Sequence, residues 1–199
     1  MTGAWQQTRA TFRHGNLPEA LIEAAMVRLE TDGAESLSLR EIARDVGVNH
    51  RAVYRHFPDK LSLLARVAEE GWRRLADRMK QQIAREKSGE DPLIAGGLAF
   101  FAFAREHPSL FHLMAGPRIN AEGRFAALDR AVIEGLLIFM QGFLAAGTDP
   151  KVARMRTAIY AAALQGVTAQ ILHRRFRLSA GKAKSEVAEI CKLLIKGLR

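Results

Sequence analysis

The chain has 199 residues, 48% of them apolar, and carries 30 Lys and Arg against 21 Asp and Glu for a formal net charge of +9. That length suits one large or two small domains with a real core. A single cysteine, Cys191, excludes an internal disulfide and fits a reducing cytoplasm. The surplus charge is unevenly placed. Residues 1–60 balance eight cations with eight acids, whereas eleven cations face two acids after position 150. Net charge alone therefore does not argue for a nucleic-acid partner at the N-terminal end, and local placement has to carry that case.

The N-terminal MTGAWQQTRATFRHGN has no apolar run and does not read as a signal peptide. The longest uncharged run, Thr157 to Leu172, contains Gln165 and Gln170 and is shorter than the roughly 20 residues a membrane-spanning helix needs. The expectation is a cytoplasmic protein. Almost every segment has helical periodicity, and no useful strand alternation occurs.

In chain order, Asn16 with Glu19 has the spacing of a capping box, with Pro18 in the first turn. Ile22, Ala25, Met26 and Leu29 follow on one stripe, and Asp32-Gly33 ends this first helix. Ser38 with Glu41 is a second capping box, and Leu39, Ile42, Ala43 and Val46 form the apolar face behind it. Gly47 stops the second helix and Asn49 caps a third, with Val48 and Val53 placed as a hydrophobic staple. Phe57-Pro58 closes that helix after two turns. Asp59 caps a long fourth helix reaching about Lys87, before Ser88-Gly89. Further helices are expected over Leu93–His107, Ser109–Ala115, Phe125–Ala146, Lys151–Phe176 and Ser185–Leu198, about nine in all.

The stretch GVNHRAVYRHFPDK, from Gly47 to Lys60, combines a core face with a fringe of cations. Two short helices joined by the Gly47-Val48-Asn49 turn have helix-turn-helix spacing. In that motif the first helix braces the second, and the second enters the DNA major groove. Val53 and Phe57 supply the braced side, while Asn49, His50, Arg51, Tyr54 and Arg55 fall on the other. Arg51, with His50 next, is placed to read base edges, since Arg can pair with guanine in a bidentate way. Tyr54, Lys60 and Ser38 suit phosphates. Arg9, Arg13 and His14 read first as a disordered tail, with a minor-groove arm as the second reading.

These residues resemble the tetracycline-repressor (TetR) family of bacterial transcription regulators over about Leu17 to Leu64. Tyr54-Arg55-His56-Phe57-Pro58-Asp59-Lys60, followed by Leu63-Leu64, looks like the family's Tyr-x-His-Phe-x-x-Lys signature. Asn49 stands where many members have Ser or Thr, an equally good cap. The resemblance implies an all-α fold, with a helix-turn-helix head at residues 1–62 and a helical effector-binding and dimerisation domain at 63–199, joined by the long fourth helix alone. It maps Tyr54, His56, Lys60 and Ser38 to phosphate contacts. It also implies a repressor that binds a palindromic operator as a dimer and is released by a small, mainly apolar effector.

Aromatic residues in the later helices are core by default. The family layout makes Phe103, Phe111, Phe139, Phe143 and Tyr160 the candidate lining of an effector pocket. Ala158, Ala161, Ala162, Ala163, Gly166 and Ala169 make a small-residue surface, and Val187, Ile190, Cys191, Leu194 and Leu198 an apolar stripe. The helices around 151–176 and 185–198 are therefore the expected dimer interface. Cys191 reads as a buried apolar thiol rather than a redox sensor. His107 and His112 do not share a helix face, so no metal site is expected there, and no cofactor motif occurs. G-x-S-x-G, H-E-x-x-H and C-x-x-C are all absent, which argues against an enzyme. The alternatives are an enzyme confined to the C-terminal half and a constitutive architectural DNA binder without an effector.

Overall fold

The computed structural model describes residues 16–86, 89, 91–116, 119, 123–179 and 181–198. Among them are nine helices and no strand: α1 (Leu17–Ser36), α2 (Leu39–Val46), α3 (His50–His56), α4 (Lys60–Arg85), α5 (Pro92–Glu106), α6 (Pro108–Ala115), α7 (Ala126–Ala145), α8 (Pro150–Leu172) and α9 (Ala183–Leu198). Arg9, Arg13, His14 and Ser88 lie outside the described residues.

The described residues form two compact units, one drawn from 16–71 and 106–129 and the other from 72–105 and 130–198. The chain passes between them within α4, at the end of α5 and within α7, where a single passage through the fourth helix was expected. The reason is long-range packing. α6 lies against α1 rather than staying with the helices that flank it in sequence.

In the first unit, Leu21, Ile22, Ala25, Met26 and Leu29 bury one face of α1 against α2, α3 and α6. Gly33, at φ 79° and ψ 165°, breaks α1, and one more turn follows to Ser36. That conformation is open to glycine because no Cβ opposes it. The capping boxes expected at Asn16 and Ser38 do not form, since neither side chain caps its helix. At the second, the Glu41 carboxylate turns instead to Arg28, 3.4 Å away. Arg28 also bridges to Asp45 and, at 3.3 Å, to Asp32, tying α1 to both ends of α2.

The second unit is built on helix approaches that small residues permit. A Cβ on Gly97 would lie 2.6 Å from Cys191 Sγ and 2.8 Å from Tyr160 Oη. One on Gly142 would meet Leu93 Cδ2 at 2.8 Å. So α5 comes close to α7, α8 and α9 at these glycines. The Tyr160 hydroxyl donates to the Leu93 carbonyl at 2.8 Å, satisfying a phenol that is fully buried. Burial pushes that phenol well above its ordinary range, with Cys191 beside it adding to the effect.

Candidate nucleic-acid interface

Local chemistry fixes the turn between α2 and α3. Gly47 takes φ 76°, the left-handed region, while Gly47 N–H donates to Arg44 O at 3.1 Å and Val48 N–H to Ala43 O at 2.9 Å. These paired bonds close the helix in the manner of a Schellman stop. The Asn49 side chain then accepts from Arg51 N–H at 2.9 Å, so the expected cap on α3 is present.

α3 has the two-sided character expected. Val53 is fully buried and Phe57, just past the helix, is buried too. Each such side chain contributes about 1.5–3 kcal/mol of burial. Asn49, His50, Arg51, Tyr54, Arg55 and His56 are exposed. The His50 and Tyr54 rings meet edge to face at 6.5 Å, one turn apart. No acidic residue lies in the first turn of α3, and Arg55 and His56 occupy its last. The outer face therefore presents an aromatic hydroxyl, two guanidinium groups and two imidazoles. Ser38 is half-buried beside the start of α2, its hydroxyl not used as a cap.

Lys60 has a role the sequence did not reveal. Its ammonium donates to the Glu35 carbonyl, at 2.6 Å, near the C-terminal end of α1. A cation there complements the helix dipole, and two ammonium N–H groups remain for a further partner. Asp59 caps α4 as expected, accepting from Ser62 N–H and Ser62 Oγ, each at 2.6 Å. Arg124 reaches the same carboxylate at 2.9 Å. The Ser62 hydroxyl, its N–H and then Arg124 hold the Asp59 carboxyl down near a pKa of about 2.

Two further anchors, Arg28 and Glu30, also escaped the sequence reading. Glu30 accepts from Ser109 N–H at 3.1 Å and Leu110 N–H at 2.9 Å, so a carboxylate on α1 caps α6. Both partnerships span loops, and no local motif marks them.

Of the residues expected near an effector, Phe139, Phe143 and Tyr160 come together. Tyr160 meets Phe139 at 5.0 Å and Phe143 at 6.1 Å between ring centroids, both near perpendicular. Phe103 is buried on α5 of the same unit, and Phe111 is buried on α6 of the other. No group of His, Cys, Asp and Glu among the described residues could hold a metal ion. No helix among them is long and apolar enough to cross a membrane.

The family described as "Bacterial regulatory proteins, tetR family" matches residues 21–67, and "Tetracyclin repressor-like, C-terminal domain" matches residues 93–193. A solved protein of unknown function from Rhodococcus sp. RHA1 is 26% identical, with 94% of this chain and 98% of that one covered at a TM-score of 0.77. A TetR-family transcriptional regulator from Mesorhizobium loti MAFF303099 is 20% identical, with 94% and 96% covered and a TM-score of 0.65. A TetR variant from Acinetobacter baumannii AYE, solved in complex with minocycline, is 23% identical, with 90% and 94% covered and a TM-score of 0.62. The last two likenesses speak to fold. The family matches extend from the helix-turn-helix through most of the second unit, and on them the chain belongs to the TetR family of bacterial transcription regulators, DNA-binding proteins rather than enzymes.

Proposed function

We propose that the chain represses transcription by occupying a two-fold symmetric operator as a homodimer, and that a small, mainly apolar effector releases it. One observation carries the reading: α3 buries Val53 and exposes Arg51, Tyr54 and Arg55. In this reading Arg51 and His50 contact base edges. Tyr54, Arg55, His56, Lys60, Ser38 and Asn49 hold the phosphate backbone. The reading head is residues 1–62 and the effector and dimerisation domain residues 63–199. The protein works in the cytoplasm, where the bacterial chromosome lies.

Dimerisation is supported by the outer face of α8. Met155, Ile159, Ala162 and Gly166 recur at spacings of four, three and four and are all exposed. On α9, Val187 and Cys191 of the stripe expected to face a partner are buried within the chain, while Ile190, Leu194 and Leu198 are half-buried. Leu193, 69% exposed, is the outward apolar residue there. A two-helix reader touches few base pairs, and pairing two readers on a two-fold axis lengthens the site.

Phe103, Phe139, Phe143 and Tyr160 line the effector site in this reading. Phe139, Phe143 and Tyr160 are in ring contact, so an effector has to part them, and packed cores do not deform without cost. Binding is then coupled to rearrangement of α5, α7 and α8. By linkage, an effector that weakens DNA binding must itself bind the DNA complex more weakly.

The test is selection of bound sequences from a random DNA pool, followed by sedimentation of the complex with the selected site. Enrichment of an inverted repeat bound by two chains is expected. A single asymmetric half-site bound by one chain overturns the dimer. Apolar compounds that raise the melting temperature are then titrated against the complex, and tight binding that never changes DNA affinity removes the switch.

A further inference from the structure

A second cluster of cations lies away from α3 and from the outer face of α8. α4, α5 and the first turn of α9 border a groove of about 180 Å³ in the second unit. α4 contributes Arg78 and Gln82, α5 contributes Leu98, Phe101 and Arg105, and α9 contributes Lys184. Leu98, Phe101 and Arg105 fall on one face of α5 by their spacing. Leu98 and Phe101 are buried and form an apolar floor, while Arg105 and Lys184 are exposed at the rim. Arg78 is half-buried and engaged within the fold, but its charge still acts on the groove.

Each described acid on these elements or at their ends has an interaction of its own, Glu86 and Glu106 included. Asp77 pairs with Lys80 and Glu189 with Lys192, while Glu186 accepts from Ser179 N–H and Asp91 from Leu93 N–H. None of them lines the groove. Among the described residues that line the groove, Arg105 and Lys184 thus stand over an apolar floor with no carboxylate beside them, and Arg78 adds a third positive charge engaged within the fold. Lys184 is the second residue of α9, so the positive end of that helix dipole adds to the field.

We propose that this groove binds a small amphipathic acid, with one carboxylate-like head and an apolar body of one or two rings. The head meets the Arg105 guanidinium and the Lys184 ammonium, which relieves their mutual repulsion through charge-assisted hydrogen bonds. The body covers Leu98 and Phe101. The volume suits it, because a cavity of about 150 Å³ already holds a benzene ring. A neutral analogue gains the floor but not the rim. The site is separate from the Phe139–Phe143–Tyr160 cluster, none of which lines it, and it does not depend on the switch proposed above.

The probe is 1-naphthoate, titrated by calorimetry into the full chain at low salt, with the neutral 1-naphthamide as control. The double variant Arg105→Glu/Lys184→Glu alters two exposed helical positions and keeps the fold, which circular dichroism and melting temperature check. Wild type is expected to bind naphthoate saturably, more weakly as salt is added, and naphthamide far less well. The double variant should lose about tenfold in naphthoate affinity, while Phe139→Ala should retain it. The proposal is overturned if wild type shows no saturable binding or binds the amide as tightly. It is equally overturned if charge reversal has no effect, or if Phe139→Ala abolishes binding that the charge-reversed variant keeps.

Discussion

Removing the Glu30 carboxylate should loosen α6 more than any other part of the first unit. His107 precedes α6 but its side chain does not cap the helix, so Glu30, about eighty positions away, supplies the acceptors. Hydrogen bonds to a charged group are worth about 1.5–3 kcal/mol each in mutational series, and loss of a helix cap about 0.5–2 kcal/mol. Here the bonds are only part-buried, and water re-solvates the amides once the carboxylate is gone. The charged-bond figures therefore overstate the loss, and the upper end of the cap range, about 2 kcal/mol, applies to Glu30→Ala. Glu30→Gln keeps one carbonyl acceptor and loses the charge, so about half that is expected. For a chain of this length, 2 kcal/mol lowers the melting temperature by roughly 4–8 °C at fixed protein concentration. The sharper assay is amide hydrogen exchange. Ser109 and Leu110 should exchange about thirtyfold faster in Glu30→Ala if local opening carries the whole loss, while Phe57 N–H, bonded to Val53 O at 2.8 Å beyond α3, should be little changed. Unchanged exchange at Ser109 and Leu110 in both variants would refute the view that Glu30 holds the start of α6.

Arg51→Ala should cost roughly 1–3 kcal/mol of operator binding and relax preference at one base pair per half-site, as read by repeating the DNA selection. Tyr54→Phe should weaken binding to all sequences alike with the salt dependence kept, because the phenol is uncharged, and should leave stability unchanged, because Tyr54 is 44% exposed. Lys60→Ala should weaken binding to all sequences alike, flatten the salt dependence, and also cost about 1 kcal/mol in denaturant unfolding, since the Glu35 carbonyl loses a donor. Gly97→Ala should destabilise by about 1–3 kcal/mol despite the better helix propensity, because Cys191 Sγ and Tyr160 Oη must both give way. Adding Cys191→Ala should recover part of the loss in a double-mutant cycle, and a raised melting temperature for Gly97→Ala would contradict the close approach. Asp59 has a lower pKa folded, about 2, than unfolded. Its stabilisation is therefore complete above about pH 4 and lost as pH falls toward 2. The stability gap between wild type and Asp59→Asn should close over that window in denaturant titrations, and a gap independent of pH would exclude the ionised cap as its source.

What the sequence disclosed and what it hid divide by the range of the interaction. Gly47, Asn49, Val53 and Phe57 act on neighbours within a turn or two, so the helix-turn-helix could be placed from spacing alone, and the structure puts it there. The capping boxes failed for a related reason. Ser38 and Glu41 have the right spacing, but Arg28, thirteen residues upstream of Glu41, offers a charged partner that a local motif cannot anticipate. The same competition explains Lys60. Its spacing from Tyr54 marks a phosphate position by resemblance, yet the fold also brings it to the end of α1. The end of α8 moved from Phe176 to Leu172 because Arg174 adopts a left-handed φ of 58° that no glycine announces. The aromatic set shows the limit most clearly. Phe111 and Phe103 lie eight residues apart and are equally apolar, and the family layout made both candidates for one pocket. Between them lies His107-Pro108, and α6 starts there and packs on α1 under the Glu30 cap. Phe103 consequently stays with the second unit and Phe111 joins the first. Apolar character tells which side chains leave water. The choice of core depends on which distant helix α6 packs against, and Glu30, about eighty residues away, can cap α6 only once α1 and α6 have met.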